Sequence, residues 1–135
     1  MTAPTHSVVV PVRNGARYVG ESLASILAEL GADDELIVVD NGSTDDTVAR
    51  IETMGDDRIV LLHQPVPGPA AARNAALRRI RGRYVSFQDA DDLWPVGRQR
   101  ALLDALLATP AANAAHGRES VIFDGPADPA YARME

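Results

Sequence analysis

The sequence predicts an α/β fold with a mainly parallel sheet and helices on both faces. Three observations predict it. Short apolar runs rich in Val and Ile alternate with stretches of helical periodicity; each run ends in a polar turn; and neither an internal repeat nor a linker-like stretch breaks the order. Parallel strands joined this way need right-handed crossovers, which carry the helices over both faces of the sheet.

The elements follow in turn. Ser7-Val-Val-Val-Pro-Val12 is a continuous apolar run suited to a strand buried on both faces. After the Asn14-Gly15 turn, Tyr18, Val19, Leu23, Ile26, Leu27 and Leu30 recur at helical spacing, and Gly31 stands where a C-cap is expected. Glu35 to Val39 is a second buried strand, ending in Asp40-Asn41-Gly42-Ser43-Thr44-Asp45. Ser43 or Thr44 is expected to cap the helix that carries Val48, Ile51 and Met54. Ile59 to Leu62 supplies the third strand. Beyond Pro65-Val-Pro-Gly-Pro69 an Ala-rich helix is expected over Ala70 to Ile80, with Gly82 as its stop. Tyr84 to Phe87 is the fourth strand and runs straight into Asp89-Ala90-Asp91-Asp92. Pro95 fits the first turn of a further helix whose apolar stripe is Leu102, Leu103, Leu106 and Leu107. Ser120 to Phe123 reads as one more short strand, and residues 125–135, with Pro126 and Pro129, as a loosely packed tail.

At 135 residues the chain suits a single domain with a real core. Thirteen basic residues, all Arg, stand against nineteen acidic ones, and the net charge of −6 argues against a nucleic-acid-binding surface. Without Cys there is no disulfide, no thiolate nucleophile and no Cys-based zinc site. No stretch is long and apolar enough for a transmembrane span, and no leader pattern opens the chain. A soluble, cytoplasmic chain is expected, with membrane-peripheral attachment, self-association or a partner chain left open.

In open α/β sheets, ligands bind beyond the carboxyl ends of the strands. Three such ends carry polar groups here: Arg13-Asn14, Asp40 to Ser43, and Asp89 to Asp92. Three carboxylates held close repel one another unless a cation or protons compensate. Oxygen ligands suit a hard divalent ion, Mg²⁺ or Mn²⁺, shared with substrate phosphates. The alternative is an acidic loop capping the next helix. Asp40 has the same two readings, as an acceptor for ribose or base and as a turn residue. A Gly-rich dinucleotide fingerprint or P-loop is absent after the first strand, which disfavours a nucleotidyltransferase-like enzyme and leaves phosphate binding to a cation.

Four motifs occur in order: Val8-Val-Val-Pro-Val-Arg-Asn14, Ile37-Val-Val-Asp-Asn-Gly-Ser-Thr-Asp45, Gly68-Pro-Ala-Ala-Ala-Arg-Asn74 and Val85-Ser-Phe-Gln-Asp-Ala-Asp-Asp92. Together they resemble the donor-binding half of family 2 glycosyltransferases over residues 6–110. The resemblance implies a Rossmann-like GT-A fold, a three-layer sandwich that binds a nucleotide-diphospho-sugar through Mg²⁺ or Mn²⁺ and transfers the sugar with inversion to an acceptor. UDP-sugar is the donor it implies. Pro11, Val12 and Arg13 would then line the nucleobase pocket, and Asp40 and Asn41 would contact base or ribose. Arg73 would lie beside the nucleotide. Asp89-Ala90-Asp91 would match the family's DxD motif, with Asp91 the leading metal ligand, Asp89 on ribose or metal, and Asp92 a ligand or a cap.

The chain departs from the family at Arg13, where an aromatic is common, and at Asn41, where a second Asp is. Arg can stack on a base, while Asn both donates and accepts where Asp only accepts. The family's general base lies in an acceptor region beyond the DxD motif; Glu119, Asp124, Asp128 and Glu135 match no motif, and no base is assigned. A shortened domain that binds donor or partner without turnover is therefore the alternative function. His6, His63 and His116 form no metal-ligand pattern and read as surface or strand-end residues. Trp94 reads first as packing and second as an acceptor-side wall. Arg78, Arg79, Arg81 and Arg83 read as a solvated face serving a helix dipole, with an anionic lipid or polymer contact as the alternative.

Overall fold

A computed structural model describes residues 5–117. Its elements are β1 (His6–Val12), α1 (Val19–Leu27), β2 (Glu35–Asp40), α2 (Thr47–Thr53), β3 (Ile59–His63), α3 (Pro69–Leu77), β4 (Tyr84–Phe87) and α4 (Arg98–Ala108). The four strands form one parallel sheet in the order β3-β2-β1-β4. Chain contacts divide the molecule into two compact units that part after Arg98.

The first unit is a three-layer sandwich, and the side-chain alternation of β1 builds it. Val8, Val10 and Val12 face one way and pack with Val19, Leu23 and Ile26 of α1, Ile51 of α2 and Trp94. Val9 faces the other way and packs with Ile37, Val39, Ala72 and Ala76. The only buried side chains of α3 are those two alanines, a seam that lets the helix lie close to the sheet. All six residues of β2 are buried, whereas β3 and β4, the outer strands, are half-buried. Central parallel strands covered on both faces read as unbroken apolar runs, and these do.

Several helix ends differ from expectation. The first helix stops at Leu27, before Gly31, because Arg58 donates its Nη1 to the carbonyls of Leu27 (3.1 Å) and Leu30 (2.8 Å) and takes over the glycine's capping task. Neither Ser43 nor Thr44 caps α2; its N-cap is Asp46, and the hydroxyls are spent elsewhere. The third helix ends at Leu77, not Ile80. Gly82 acts as a close-approach residue instead of a helix stop: a Cβ there would lie 2.5 Å from the Ser7 nitrogen. Pro95 precedes α4, accepting a turn hydrogen bond from Arg98 N.

In the second unit, Leu102, Leu103 and Leu106 of α4 are half-buried, while Leu107 is 58% exposed and falls outside the stripe. Arg100 and Asp104 pair along the helix at 3.6 Å. The expected strand at Ser120–Phe123 and the tail lie outside the described residues, as do Glu119, Asp124, Asp128 and Glu135. Among the described residues, no helix is long and apolar enough to cross a membrane.

Candidate functional site

The chain steps outward from β1 through β2 to β3, then returns to place β4 on β1's other flank. Order reverses between β1 and β4, and loops leaving a parallel sheet at such a point diverge and open a crevice. A cleft of about 500 Å³ lies there, lined by Pro11 to Gly15, Tyr18, Asn41, Gly68, Pro69 and Asp89 to Asp91. All these residues belong to the first unit.

The wall following β1 is held by the loop following β2. Asn14 has a φ of 49°, in the left-handed region that Asn tolerates better than most residues. Its backbone N–H donates to Ser43 Oγ (2.9 Å), and its Oδ1 accepts from Thr44 N (2.7 Å). Gly15 N donates to Thr47 Oγ1 (2.9 Å), and Ala16 N to Asp45 Oδ2 (3.2 Å). The Thr47 hydroxyl donates in turn to Asp45 Oδ1. Donation from Thr47 and Ala16 keeps the Asp45 carboxyl below its ordinary pKa.

Asn41 is buried, and its amide is committed. Nδ2 donates to the carbonyls of Gln64 (2.8 Å) and Val66 (2.7 Å), and Oδ1 accepts from Gly68 N (2.8 Å). That clasp fixes Gly68 at φ 113° and sets the start of α3 in the cleft wall. Asp40 does not line the cleft. It is 6% exposed, and burial alone would raise its pKa; donation from Ser43 (N–Oδ1 3.1 Å) and His63 (Nδ1–Oδ2 3.4 Å) outweighs burial and holds it low.

On the β4 side, Asp89 accepts from Arg73 Nη2 at 3.0 Å, so Arg73 meets the cleft through that carboxylate. Asp91 is exposed and lines the cleft. Asp92 does not; its backbone N–H closes a turn on Asp89 O (3.2 Å). Among the described residues, no three carboxylates or imidazoles converge as a ready cation cage. Mg²⁺ and Mn²⁺ fit what is present, because such ions take one or two carboxylates and leave the other positions to phosphates and water.

The acidic segment is anchored behind the cleft. Trp94 is 4% exposed, in the core as packing. Its Nε1 donates to Gln88 Oε1 (2.7 Å), its backbone N–H to Ser25 Oγ (3.0 Å), and the Arg98 guanidinium lies 4.5 Å above the ring. Of the histidines, His6 is buried at the start of β1 beside Asp34, and His63 ends β3. Arg81 belongs to no helix face; it pairs with Glu35 at 2.8 Å.

Sequence reasoning missed Gly15, Tyr18, Gly68 and Pro69 in the wall. The Gly-Pro pair had a readable signal, since Pro at a helix's first position marks where that helix starts. Gly15 is required because a Cβ would come within 2.6 Å of Val12 Cγ2. Tyr18 had none: its spacing matched the apolar stripe of α1.

Known proteins share this fold. The sequence is 33% identical over 102 residues to the UDP-Glc:alpha-D-GlcNAc-diphosphoundecaprenol beta-1,3-glucosyltransferase WfgD of Escherichia coli, covering 75% of this chain and 40% of that protein. The fold superposes with a TM-score of 0.69 and 35% identity on the mannosyltransferase PcManGT of Pyrobaculum calidifontis in complex with GDP-Man and Mn²⁺, covering 81% of this chain and 34% of that one. It superposes with a TM-score of 0.64 and 33% identity on the glucosyl-3-phosphoglycerate synthase of Mycobacterium tuberculosis in complex with Mn²⁺, UDP and phosphoglyceric acid, covering 78% and 39%. These neighbours are GT-A glycosyltransferases, and the sandwich seen here is their fold. The chain spans 13 to 50% of the length of curated relatives it matches. The model described as Glycosyl transferase family 2 matches residues 7–131, from the first buried strand through all four motif-bearing loops, and the chain belongs to that family.

Proposed function

We propose that this chain binds a nucleotide-diphospho-sugar with a divalent cation and serves its transfer, with inversion, to an acceptor hydroxyl. The observation that carries the proposal is the cleft at the β1–β4 reversal, with Asp91 open to it and Asp89 oriented by Arg73. Asp91 and Asp89 are the residues that would hold Mn²⁺ or Mg²⁺, with Asp92 a lesser contributor behind them. A bound divalent ion supplies neutralisation of the charge that grows on a departing nucleoside diphosphate.

The chain's own groups do the positioning. Arg73 holds Asp89 through one hydrogen bond, and Ala90 between the two carboxylates lines the cleft. Pro11, Val12 and Arg13 form the wall along which a nucleoside would lie, with Asn41 behind it. Asp40 supports this wall from below through Ser43, which also holds Asn14. WfgD is named for a UDP-sugar and PcManGT is complexed with a GDP-sugar, so likeness leaves the base open.

A thermal-shift titration with UDP, GDP and dTDP, each with and without Mn²⁺, tests the reading. Stabilisation that requires the metal is expected; absence of any metal-dependent shift would sink it. Sugar release from a bound donor would add turnover to capture, and binding without release would leave this chain a donor-capturing unit.

A further inference from the structure

We infer that Arg13 selects the nucleobase of the donor and favours guanine over uracil. The inference rests on the donor reading above. If the diphosphate sits with Asp89 and Asp91 on the β4 side of the cleft, the nucleoside extends towards the β1–β2 side, where Arg13 and Asn41 stand at neighbouring strand ends. Asn41 N bonds Val12 O at 2.8 Å, which fixes that adjacency.

The polar groups of that side are unequally available. The Asn41 amide is consumed by Gln64, Val66 and Gly68. The Asp40 carboxylate, which would accept a base N–H, is outside the cleft lining and takes hydrogen bonds from Ser43 and His63. Arg13 is exposed, lines the cleft, and makes no hydrogen bond or ion pair with any described residue. Of the three residues Arg13, Asp40 and Asn41 at these strand ends, base reading therefore falls to the one that only donates, through a planar fork of N–H groups.

A donor-only fork discriminates by the acceptors a base presents. Guanine offers O6 and N7 side by side on one edge, the arrangement that a guanidinium meets with two parallel hydrogen bonds. Uracil and thymine offer O2 and O4 separated by an N–H donor, so the fork meets one acceptor at a time. Cytosine also presents two adjacent acceptors, O2 and N3, but flanks them with the N4 amino donor, which a donor-only fork meets unfavourably.

Calorimetric titration of the 135-residue chain with GDP, UDP, CDP and dTDP in Mn²⁺ tests this. GDP should bind tighter than each of the others by at least about tenfold. The GDP analogue with carbon in place of N7 should lose most of that margin. Arg13→Lys should cut the GDP-to-UDP ratio to about threefold or less, because an ammonium is a point charge without the fork. The inference is overturned if UDP, CDP or dTDP matches GDP, or if the preference survives either the analogue or the variant. Metal-dependent binding led by UDP would overturn it and leave the donor reading standing; no binding by any of the four would end both.

Discussion

Where the strands begin, Glu35 is 2% exposed yet surrounded by donors; where they end, Asp91 stands in the open at the rim of the cleft. Glu35 accepts from Ser7 Oγ (2.6 Å), Arg81 N (2.7 Å) and Arg81 Nε (2.8 Å), and Ser7 Oγ accepts in turn from Gly82 N (2.8 Å). Burial pushes the Glu35 carboxyl up, and those donors more than reverse it. Nearby, Asp34 holds His6 N, and Arg58 joins Asp56 to the carbonyl of Leu27 at the end of α1 and to that of Leu30 beyond it. Polar groups at this edge are spent on the fold. At the opposite edge the backbone is latched too, but Arg13 and Asp91 make no hydrogen bond or ion pair with any described residue. A sheet that closes one edge with its own charges can leave charges unpaired at the other without losing its shape.

Asp91→Ala should break that contrast most visibly. If Asp91 is a metal ligand as proposed, metal-dependent affinity for a nucleoside diphosphate should fall at least about 100-fold, with thermal stability nearly unchanged. Calorimetry and a melting curve check both halves, and unchanged affinity would remove Asp91 from the metal.

Gly82→Ala tests the other edge. The new Cβ would press on the Ser7 nitrogen and His6 carbonyl carbon, and should cost about 3 kcal/mol by urea denaturation. Metal-dependent binding by the folded fraction should persist.

Glu35→Gln keeps the shape and removes the charge. It should cost about 2 kcal/mol, because the hydrogen bonds it receives from Arg81 lose their charge assistance and a buried amino group replaces one acceptor oxygen among donors. A cost under about 0.5 kcal/mol would show that the network is ornamental.

Acid should give the smallest effect. Glu35, Asp40 and Asp56 all have carboxyls held low; at Asp56 hydrogen bonds from Arg58 bring the pKa to about 2. A carboxyl whose folded pKa lies below its unfolded value stabilises the fold above the unfolded pKa, and that contribution drains away as pH falls towards the folded one. Stability should therefore hold at neutral pH and decline below about pH 4.5 towards pH 2, measured as urea midpoint against pH. Glu35→Gln should flatten the decline.

Much of this was legible in sequence, for identifiable reasons. The four strands announced themselves because residues buried on both faces must be continuously apolar, as Val8 to Val10 and Leu36 to Val39 are. The cleft's carboxylates were legible because they follow a strand directly. Helix ends were less so. Arg58 supplies from 31 residues downstream of Leu27 the capping that Gly31 was expected to give, and no local pattern carries such a contact. The commitment of the Asn41 amide is illegible for the same reason: the three loop groups that bond it lie between 23 and 27 residues away.

That clasp has a consequence for how the molecule breathes. Gly68 sits in a surface loop, between Pro67 and Pro69, yet its N–H is tied to a side chain rooted beside the central strands. Opening this amide to solvent requires releasing Asn41, whose own backbone N–H is bonded to Val12 O. In hydrogen–deuterium exchange, Gly68 should be protected like the interior of β2 and not like the exposed loop around it. One buried amide thus makes the start of α3 open and close with the core, so the wall of the cleft keeps its position until the sheet itself gives way.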